Sequence, residues 1–301
     1  MWFYYQGIYY GIQFCRVKLV NMVGTLIQVD YFGVNFVDTY YRSGLYKFKS
    51  FPAVLGTEAA GTIVALPTDQ DILNNEIFEK QGFAIGRKVV TVRPHCAHTY
   101  PWTLRLQSSL GSHATYIAAP WKSVYPVPDP VSTQAAAAIL LQGLTAITFF
   151  EEAYKVKKGD TILVHTVAGG LGLLFAQLGR HVGATVIGTT STQAKADLAK
   201  ANGADHVILY PVEDTVKRVL ELTNNEGVDA VFDGVGKDTY VLFFYLSRTR
   251  TQVSDFISFD NNLKLIKRKG TLVSVGNASG PVDPFSILRL AEKNVKLLRP
   301  T

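Results

Sequence analysis

The pattern of apolar and polar positions changes near residue 130 of this 301-residue chain. Before that point, short apolar runs are interrupted by glycine and proline, which is typical of strands joined by irregular connections. The clearest of these runs are TLIQVDYFGVNF, RKVVTVRP and HATYIAAP. The pattern therefore predicts a β-rich first domain.

From Ser132 onward the pattern becomes regular. The stretch STQAAAAILLQGLTAITFFEEAYK begins with an N-cap serine and has helical periodicity, with Gly143 as an expected break. Strand-like runs then alternate with helix-like segments, two of which are expected to stop at Gly183 and Gly203. The strand-like runs are DTILVHTV, ATVIGTT, HVILY, VDAVFDGVG and KGTLVSVGN, and the helix-like segments are LGLLFAQLGRHVG, TQAKADLAKANGA and VEDTVKRVLELT. This alternation predicts an α/β fold with a doubly wound parallel sheet that helices cover on both faces.

The composition is that of an ordinary globular protein, with 48% hydrophobic and 18% charged residues, and the length favours two domains. Only two cysteines, Cys15 and Cys96, are present, which excludes a disulfide framework and a four-cysteine zinc site and suits a reducing compartment. No run reaches the ~20 apolar residues of a membrane span. The apolar N-terminus MWFYYQGIYYGIQF lacks the basic region and cleavage site of a signal peptide. We therefore expect a cytoplasmic protein with no membrane partner.

Basic residues outnumber acidic ones, for a net charge of +6. They are spread in short groups, such as the lysines at 155, 157 and 158. Groups of this kind usually form solvated faces, and nucleic-acid binding is the alternative interpretation of the charge.

The glycine-rich stretch VHTVAGGLG, residues 164–172, follows the first strand of the alternation and opens its first helix. Glycines at such a turn let the backbone approach a pyrophosphate, and the helix N-terminus offers free N–H groups. Gly169 and Gly172 occupy the second and third glycine positions of the GxGxxG fingerprint, but Val167 occupies the first. The stretch favours a dinucleotide site, and a plain strand-to-helix turn is the alternative.

The end of the next strand indicates which dinucleotide is bound. An NAD site usually has an Asp or Glu there, about 20 residues after the glycines, to hold the ribose 2′-hydroxyl. Here no acidic residue occurs from Gly183 until Asp197. Ser191 and Lys195 are placed to donate to a 2′-phosphate instead, and Tyr210 could close that pocket. The pattern favours NADPH, although Lys195 taken alone could be a solvent-facing helix lysine.

Glu58, in the stretch VLGTEAAGTIV, raises the question of a metal. A buried carboxylate needs a cation, a hydrogen-bond donor or a metal as its partner. Cys96, His95, His98 and His113 fall in one region, but their spacing is irregular for a zinc site. We expect Glu58 to accept hydrogen bonds from backbone or hydroxyl donors, and we expect no metal.

Seven motifs in this order resemble those of a known family. They are GVNFVDTYYRSGLY (33–46), GTEAAG (56–61), LQGLTA (141–146), VHTVAGGLG (164–172), GATVIGTTSTQAK (183–195), FDGVGKDT (232–239) and GTLVSVGNASGPVDPFS (270–286). The chain resembles the zeta-crystallin-like NADPH:quinone oxidoreductases of the medium-chain dehydrogenase/reductase superfamily, in particular their fungal members. This resemblance implies a GroES-like, partly closed β-barrel domain and a Rossmann dinucleotide-binding domain, with the active site in the cleft between them. It also implies a homodimer.

The resemblance implies roles for individual positions. Asn35, Tyr40 and Tyr46 would line the nicotinamide and quinone cleft. The residues that would hold NADPH are Thr145 at the nicotinamide end; Ala168, Gly169, Gly170, Leu171 and Gly172 at the pyrophosphate; Ser191, Lys195 and Tyr210 at the 2′-phosphate; and Val275, Gly276 and Asn277 over the nicotinamide. Taken without the family, Tyr40 and Tyr46 could be barrel core and Asn35 a turn-former.

Zinc-dependent members of the superfamily have a histidine ligand where GTEAAG has Thr57, so the resemblance implies the zinc-free branch. Without a Lewis acid, the expected substrate is one that accepts electrons readily, such as a quinone. Tyr46 could then donate to the oxygen of the reduced quinone. A related enone or alkenal reductase and an AU-rich RNA-binding protein are the alternative functions.

The motifs also suggest domain limits. Residues 1–130 are expected to form the GroES-like domain, residues 131–278 the Rossmann domain, and residues 279–301 the start of a return to the first domain. Residues 1–24, the insertion at 241–257 and the ending LLRPT depart from the family pattern, which resembles that of a gene model with retained intron sequence and lost exons. We expect impaired catalysis if that interpretation is right.

Overall fold

The computed structural model describes residues 2–5, 8–11, 24–48, 53–92, 111–237 and 259–300. The chain divides into two compact units, residues 1–140 and 141–301. The predicted insertion at 241–257 and the residues Cys15, His95, Cys96 and His98 lie outside the described residues.

The first unit is built on antiparallel strands. Strands β1 (Trp2–Tyr5) and β2 (Ile8–Gly11) pair with each other. A five-stranded sheet has the order β6-β3-β4-β5-β7 and is antiparallel throughout. Its strands are β3 (Gly24–Phe32), β4 (Glu58–Ala65), β5 (Lys88–Val92), β6 (Tyr116–Pro120) and β7 (Val124–Pro126), with helices α1 (Phe36–Ser43), α2 (Gln70–Leu73) and α3 (Glu76–Gln81) between them.

Apolar side chains on one face of this sheet form the core of the first unit. Ile27, Ile63 and Val89 are fully buried there, and Phe78 of α3 packs edge-on against Trp121 at 5.6 Å between ring centroids. The five antiparallel strands and this core confirm the predicted β-rich first domain.

The second unit is built on a parallel sheet of six strands, preceded by helix α4 (Thr133–Thr148), which starts in the first unit, and a π-helical turn at Phe149–Ala153. The strand order is β10-β9-β8-β11-β12-β13. The strands are β8 (Thr161–Val164), β9 (Thr185–Thr190), β10 (His206–Leu209), β11 (Val228–Asp233), β12 (Ile266–Ser274) and β13 (Lys296–Leu298). The helices are α5 (Gly170–Val182), α6 (Gln193–Ala201), α7 (Thr215–Leu222) and α8 (Phe259–Leu265).

Both faces of the parallel sheet are buried. On one face Ile162 and Phe232 pack with Phe150 and Phe175, whose rings stack at 5.3 Å. On the other face Leu163 and its sheet neighbours pack with α7 and α8. The predicted α/β class with a doubly wound parallel sheet is confirmed, and its strand order is that of a dinucleotide-binding fold.

Most predicted elements are present, and three expectations need revision. Helix α4 continues through Gly143 without the expected break, because an isolated helix glycine costs only about 1 kcal/mol. Residues 296–298 pair in parallel with β12 and belong to the second unit, whereas the sequence analysis expects 279–301 to return to the first domain. The remaining sequence-based domain limits stay a prediction.

The third revision concerns membrane spans. Among the described residues, the helical stretch Thr133–Ala153 is long and apolar enough to cross a membrane by length and composition alone. Phe149, Phe150 and Ala153 at the end of this stretch are buried in the core of the second unit, and 28% of its most apolar window is buried.

Candidate functional site

The first unit joins Asn35 to Glu58. Asn35 precedes α1 as its N-cap, and its side-chain Nδ2 donates to Glu58 Oε1 at 2.7 Å. Glu58 is the first residue of β4 and is fully buried. Gly33 packs closely against this carboxylate, since a Cβ at that glycine would lie 2.2 Å from Glu58 Oε1. A donor to the Glu58 carboxylate is therefore a side-chain amide, whereas the sequence predicts backbone or hydroxyl donors.

Asp38 fixes the start of the same helix. Its Oδ2 accepts the backbone N–H of Asn35 at 2.9 Å, which places a carboxylate in the first helical turn. His113 reaches this carboxylate from another loop, with Nε2 4.0 Å from Asp38 Oδ2, and its ring lies 4.3 Å from that of Phe32. From the sequence, His113 is predicted only as a possible metal ligand, and no local pattern indicates its contact with Asp38.

Aromatic rings continue from α1 into the following loop. Tyr40 and Tyr46 meet edge to face at 5.3 Å, and the backbone N–H of Tyr46 donates to the carbonyl of Tyr40. Tyr41 contacts Tyr46 on its other side at 5.6 Å. Burial raises the pKa of the Tyr41 phenol, and the nearby Tyr46 and Asp38 raise that pKa further. Both tyrosines predicted to be catalytic are half-buried, so their rings are neither wholly core nor wholly exposed.

In the second unit, the glycine-rich turn joins β8 to α5. Thr166 has a φ of 54°, and Gly169 is the N-cap of α5, where no side chain caps the helix. The first N–H groups of this helix are therefore available to an anion. Gly172 allows the helix to pack directly on the turn, because a Cβ there would lie 2.5 Å from the carbonyl oxygen of Thr166. This is the structural role of the third glycine in a dinucleotide-binding turn.

Two donors stand together after β9. The ammonium group of Lys195 lies 3.4 Å from Ser191 Oγ, and Lys195 is exposed on the first turn of α6. Tyr210 follows β10 and is tied to the end of β9 by its N–H, which donates to the carbonyl of Thr190. Asp197, the first acidic residue after Gly183, accepts a hydrogen bond from Gln193 on the exposed side of α6.

The loop after β12 is held by its backbone. Val275 N and Gly276 N both donate to the carbonyl of Asp233, at 2.7 and 3.2 Å. Arg299, which follows β13, donates to Ser274 Oγ at 2.8 Å. The side-chain amide of Asn277 satisfies its neighbours when its oxygen faces Arg299, and that oxygen then accepts a hydrogen bond from Arg299 at 3.3 Å. Val275, Gly276 and Asn277 are predicted from the sequence, whereas Arg299, which anchors the loop from the residue after β13, is not.

The predicted residues thus fall into two groups. The first unit brings together Asn35, Tyr40 and Tyr46. In the second unit, three predicted features lie at the carboxyl ends of the parallel strands. They are the donors near Ser191, the loop at Val275, and the turn formed by Ala168, Gly169, Gly170, Leu171 and Gly172. Thr145 lies on α4, where its hydroxyl donates to the carbonyl of Leu141 at 2.7 Å. The roles assigned to these residues stay predictions.

Comparison with known families matches both parts of the chain. Residues 23–129 match the alcohol dehydrogenase GroES-like domain, and residues 170–250 match the zinc-binding dehydrogenase domain. The GroES-like assignment of the first domain is thereby confirmed.

Several known proteins are similar over most of the chain. The probable quinone oxidoreductase of Schizosaccharomyces pombe is 36% identical over 278 residues, which is 92% of this chain and 70% of that protein. The crystal structure of the quinone oxidoreductase of Pseudomonas syringae pv. Tomato DC3000 has a TM-score of 0.77 and 34% identity, over 98% of this chain and 77% of that one. The Escherichia coli quinone oxidoreductase complexed with NADPH has a TM-score of 0.77 and 30% identity, over 96% of this chain and 76% of that one.

The two domains and the glycine-rich turn define a dinucleotide-dependent oxidoreductase. The chain belongs to the quinone oxidoreductase family of the medium-chain dehydrogenase/reductase superfamily. The predicted family is therefore confirmed.

In the part of the chain that the structure describes, the residues do not fit the zinc ion that the description of the zinc-binding dehydrogenase domain implies. In the GTEAAG motif, Thr57 offers a hydroxyl, and the Glu58 carboxylate is held by Asn35. Among the described residues, no group of three or more His, Cys, Asp or Glu side chains could hold a metal.

Proposed function

We propose that this protein passes reducing equivalents from NADPH to a quinone. The observation that carries the proposal is the pair Lys195 and Ser191 beside a glycine-rich turn, at the carboxyl ends of the first two strands of the parallel sheet. Members of the same family, including one solved with NADPH, support the same chemistry.

Residues of the second unit would hold the cofactor. The lysine ammonium and serine hydroxyl would donate to the 2′-phosphate, and Tyr210 would border it. The N–H groups at the start of α5 would face the pyrophosphate, because Gly169 leaves that end uncapped. Bound NADPH supplies a hydride, and the loop from Val275 to Asn277 with Thr145 would orient the nicotinamide.

Residues of the first unit would handle the acceptor. Tyr40 and Tyr46 present aromatic surface against which a planar quinone can stack, and the Tyr46 hydroxyl would donate to the oxygen that gains negative charge. Asn35 would keep α1 in place through Glu58. A quinone accepts electrons readily, so positioning and exclusion of water are the main contributions of the protein.

Loss of absorbance at 340 nm, the NADPH band, tests the proposal. Purified protein should oxidise NADPH with an ortho- or 1,4-quinone. Tyr46→Phe should lower kcat/KM for the quinone by about 10-fold or more. Tyr125→Phe, which removes an exposed phenol from β7, is the matched control and should leave kcat/KM unchanged. Turnover of alkenals but not of quinones would indicate an enone reductase instead. Binding to AU-rich RNA on filters, without NADPH oxidation, would indicate the third alternative.

We also propose that the protein acts as a homodimer in the cytoplasm. Among the strands that the structure describes, β13 lies at one edge of the parallel sheet, and edge strands are common sites of pairing with another chain. Light scattering on the purified protein should give twice the mass of the chain, and cell fractionation should recover it with the cytosol. A monomer that turns over quinones would contradict the dimer.

A further inference from the structure

Four polar side chains inside the second unit form one continuous chain of hydrogen bonds. His165 Nδ1 lies 3.0 Å from Thr189 Oγ1, and His165 Nε2 lies 2.7 Å from Asn262 Oδ1. Asn262 Nδ2 then donates to Asp233 Oδ2 at 3.1 Å. Each of the four residues is at most 3% exposed. They link β9, β8, α8 and β11 across the carboxyl edge of the sheet.

The direction of every bond follows from the carboxylate at one end. Asp233 accepts, so Asn262 presents its Nδ2 to Asp233 and its Oδ1 to His165. His165 therefore carries its proton on Nε2. In the neutral ring, Nδ1 then accepts the hydroxyl proton of Thr189. Every donor in the chain meets an acceptor, which is the condition for a polar chain to be tolerated in an apolar interior.

The Asp233 end of the chain holds the loop that follows β12. Asp233 Oδ1 accepts the N–H groups of Val235 and Gly236, at 2.8 and 3.3 Å. The backbone carbonyl of Asp233 accepts from Val275 and Gly276. This one residue therefore fixes both the segment after β11 and the start of the loop predicted to cover the nicotinamide.

The other end, formed by Thr189 and His165, holds the glycine-rich turn. The carbonyl of His165 accepts the Thr166 hydroxyl at 2.6 Å, and Thr166 is the residue with φ 54°. The carbonyl of Thr189 accepts Val167 N at 3.1 Å. Strands β8 and β11 are neighbours at the point where the strand order reverses, which is where dinucleotides bind in such sheets.

Stability alone does not require these side chains. Burying polar groups in a sheet is costly, and apolar residues of similar size could fill the same space without that cost. The chain of hydrogen bonds starts and ends at the two loops that would contact the cofactor. We propose that it is a positioning element, centred on His165, which holds the glycine-rich turn and the loop 275–277 in register for NADPH. The proposal rests on the proposed function, because it takes NADPH as the ligand of those loops.

Two variants interrupt the chain of hydrogen bonds, and a third variant is a matched control. Thr189→Val removes one hydroxyl with little change in size, and His165→Phe removes both ring nitrogens. Thr91→Val is the control, because Thr91 is also a fully buried strand threonine whose hydroxyl donates a hydrogen bond, to the carbonyl of Ser123, but it lies in the first unit. Binding of NADPH and of adenosine 2′-monophosphate, which has the 2′-phosphate but lacks the pyrophosphate and the nicotinamide, is measured by calorimetry.

A positioning role predicts a specific pattern. Thr189→Val should weaken NADPH binding by about 10-fold or more, since small displacements of bound groups have large effects. It should leave binding of adenosine 2′-monophosphate within twofold of wild type, because this ligand does not reach the glycine-rich turn, and Ser191 and Lys195 are outside the chain of hydrogen bonds. Thr91→Val should lower the unfolding temperature by a similar amount and change neither affinity. His165→Phe should repeat the Thr189→Val pattern more strongly; if it does not fold, the conservative Thr189→Val decides.

The possible failures are distinguishable. If wild type binds neither compound, the proposed function fails and this proposal fails with it. If wild type binds both compounds and Thr189→Val binds both equally well, the proposed function stands and the positioning role is refuted. Equal weakening of both compounds would mean that the substitution acts on the whole unit, which also refutes a positioning role.

Discussion

The side-chain amide of Asn35 donates to the carboxylate of Glu58 across 2.7 Å and so ties the N-terminus of α1 to the first residue of β4. A fully buried carboxylate is costly unless donors satisfy it. The bond also fixes the helix on which Tyr40 lies. One side-chain contact therefore supports both the fold of the first unit and its candidate acceptor site.

Removing this amide should destabilise the protein. Asn35→Ala deletes the donor to a buried carboxylate and the helix N-cap, and we expect the free energy of unfolding to fall by about 1–3 kcal/mol. Urea denaturation of the variant and of wild type measures the difference. Asn74→Ala, at the exposed end of α2, is the control and should change the free energy by less than about 0.5 kcal/mol. Equal stability of Asn35→Ala and wild type would contradict the role given to this bond.

Cofactor choice should depend on Lys195. Lys195→Ala removes a charged donor from the proposed 2′-phosphate pocket, and a charge-assisted hydrogen bond is worth about 1.5–3 kcal/mol. We therefore expect the Kd for NADPH to rise about 10- to 100-fold and the Kd for NADH to stay constant. Fluorescence titration measures both.

The control for this experiment is Lys200→Ala. Lys200 is exposed on the same helix but lies in its last turn, so it shares the charge of Lys195 and not its position. If Lys200→Ala weakens NADPH binding as much as Lys195→Ala does, the effect is one of general charge, and the pocket is assigned wrongly.

Gly172 should not tolerate a methyl group. A Cβ at this position would lie within 2.7 Å of backbone atoms of Thr166 and Val167, which cannot move without opening the turn. Gly172→Ala should therefore cost about 1–3 kcal/mol of stability and weaken NADPH binding. Gly170→Ala is the matched control for stability, because the three atoms nearest to its Cβ would all belong to the end of the flexible Gln142 side chain. Thermal melts that rank Gly170→Ala as the less stable variant would contradict this interpretation of the turn.

Much of this architecture could be predicted from the sequence. The alternating runs predict the strands β8 to β12, and the helix stops at Gly183 and Gly203 coincide with backbone of positive φ. The break predicted at Gly143 is wrong because helix propensity contributes little free energy at a single residue. The apolar residues around Gly143 keep the helix continuous.

The side-chain contacts were harder to predict. His165, Thr189 and Asp233 all lie at the carboxyl ends of parallel strands, a signal that the sequence contains. Their common partner Asn262 is 97 residues from His165, and no local pattern indicates such a contact. The partner of Glu58 was missed for the same reason, since Asn35 is 23 residues away and on a different element.

Alkaline pH should weaken the protein through Tyr154. Burial raises the pKa of this phenol. The negative charge of Asp160, the hydrogen bond from the phenol to Asp160 at 3.1 Å and the negative charge of Asp229 raise that pKa further. The pKa of the phenol is higher in the folded protein than its unfolded value of about 10. The protonated Tyr154 side chain therefore gives its full stabilisation of the fold below pH 10, and this stabilisation is lost as the pH rises above 10. Urea denaturation between pH 9 and about 11 should show a steeper loss of stability in wild type than in Tyr154→Phe.

Tyr125→Phe is the control for the alkaline series, because it removes an exposed phenol from the first unit. Its stability should follow that of wild type across the whole range. Parallel curves for wild type and Tyr154→Phe would show that the phenol does not contribute to the alkaline loss.

The strand order of the parallel sheet also sets an order of events during synthesis. Strands β8, β9 and β10 are consecutive neighbours and leave the ribosome before β11, so they can pair as soon as they emerge. Until Val228–Asp233 arrives, the other edge of β8 is unpaired and its apolar residues are uncovered on that side. Nascent chains arrested before β11 should therefore depend on chaperones, and substitutions that slow the docking of β11 should increase aggregation more than their effect on native stability suggests.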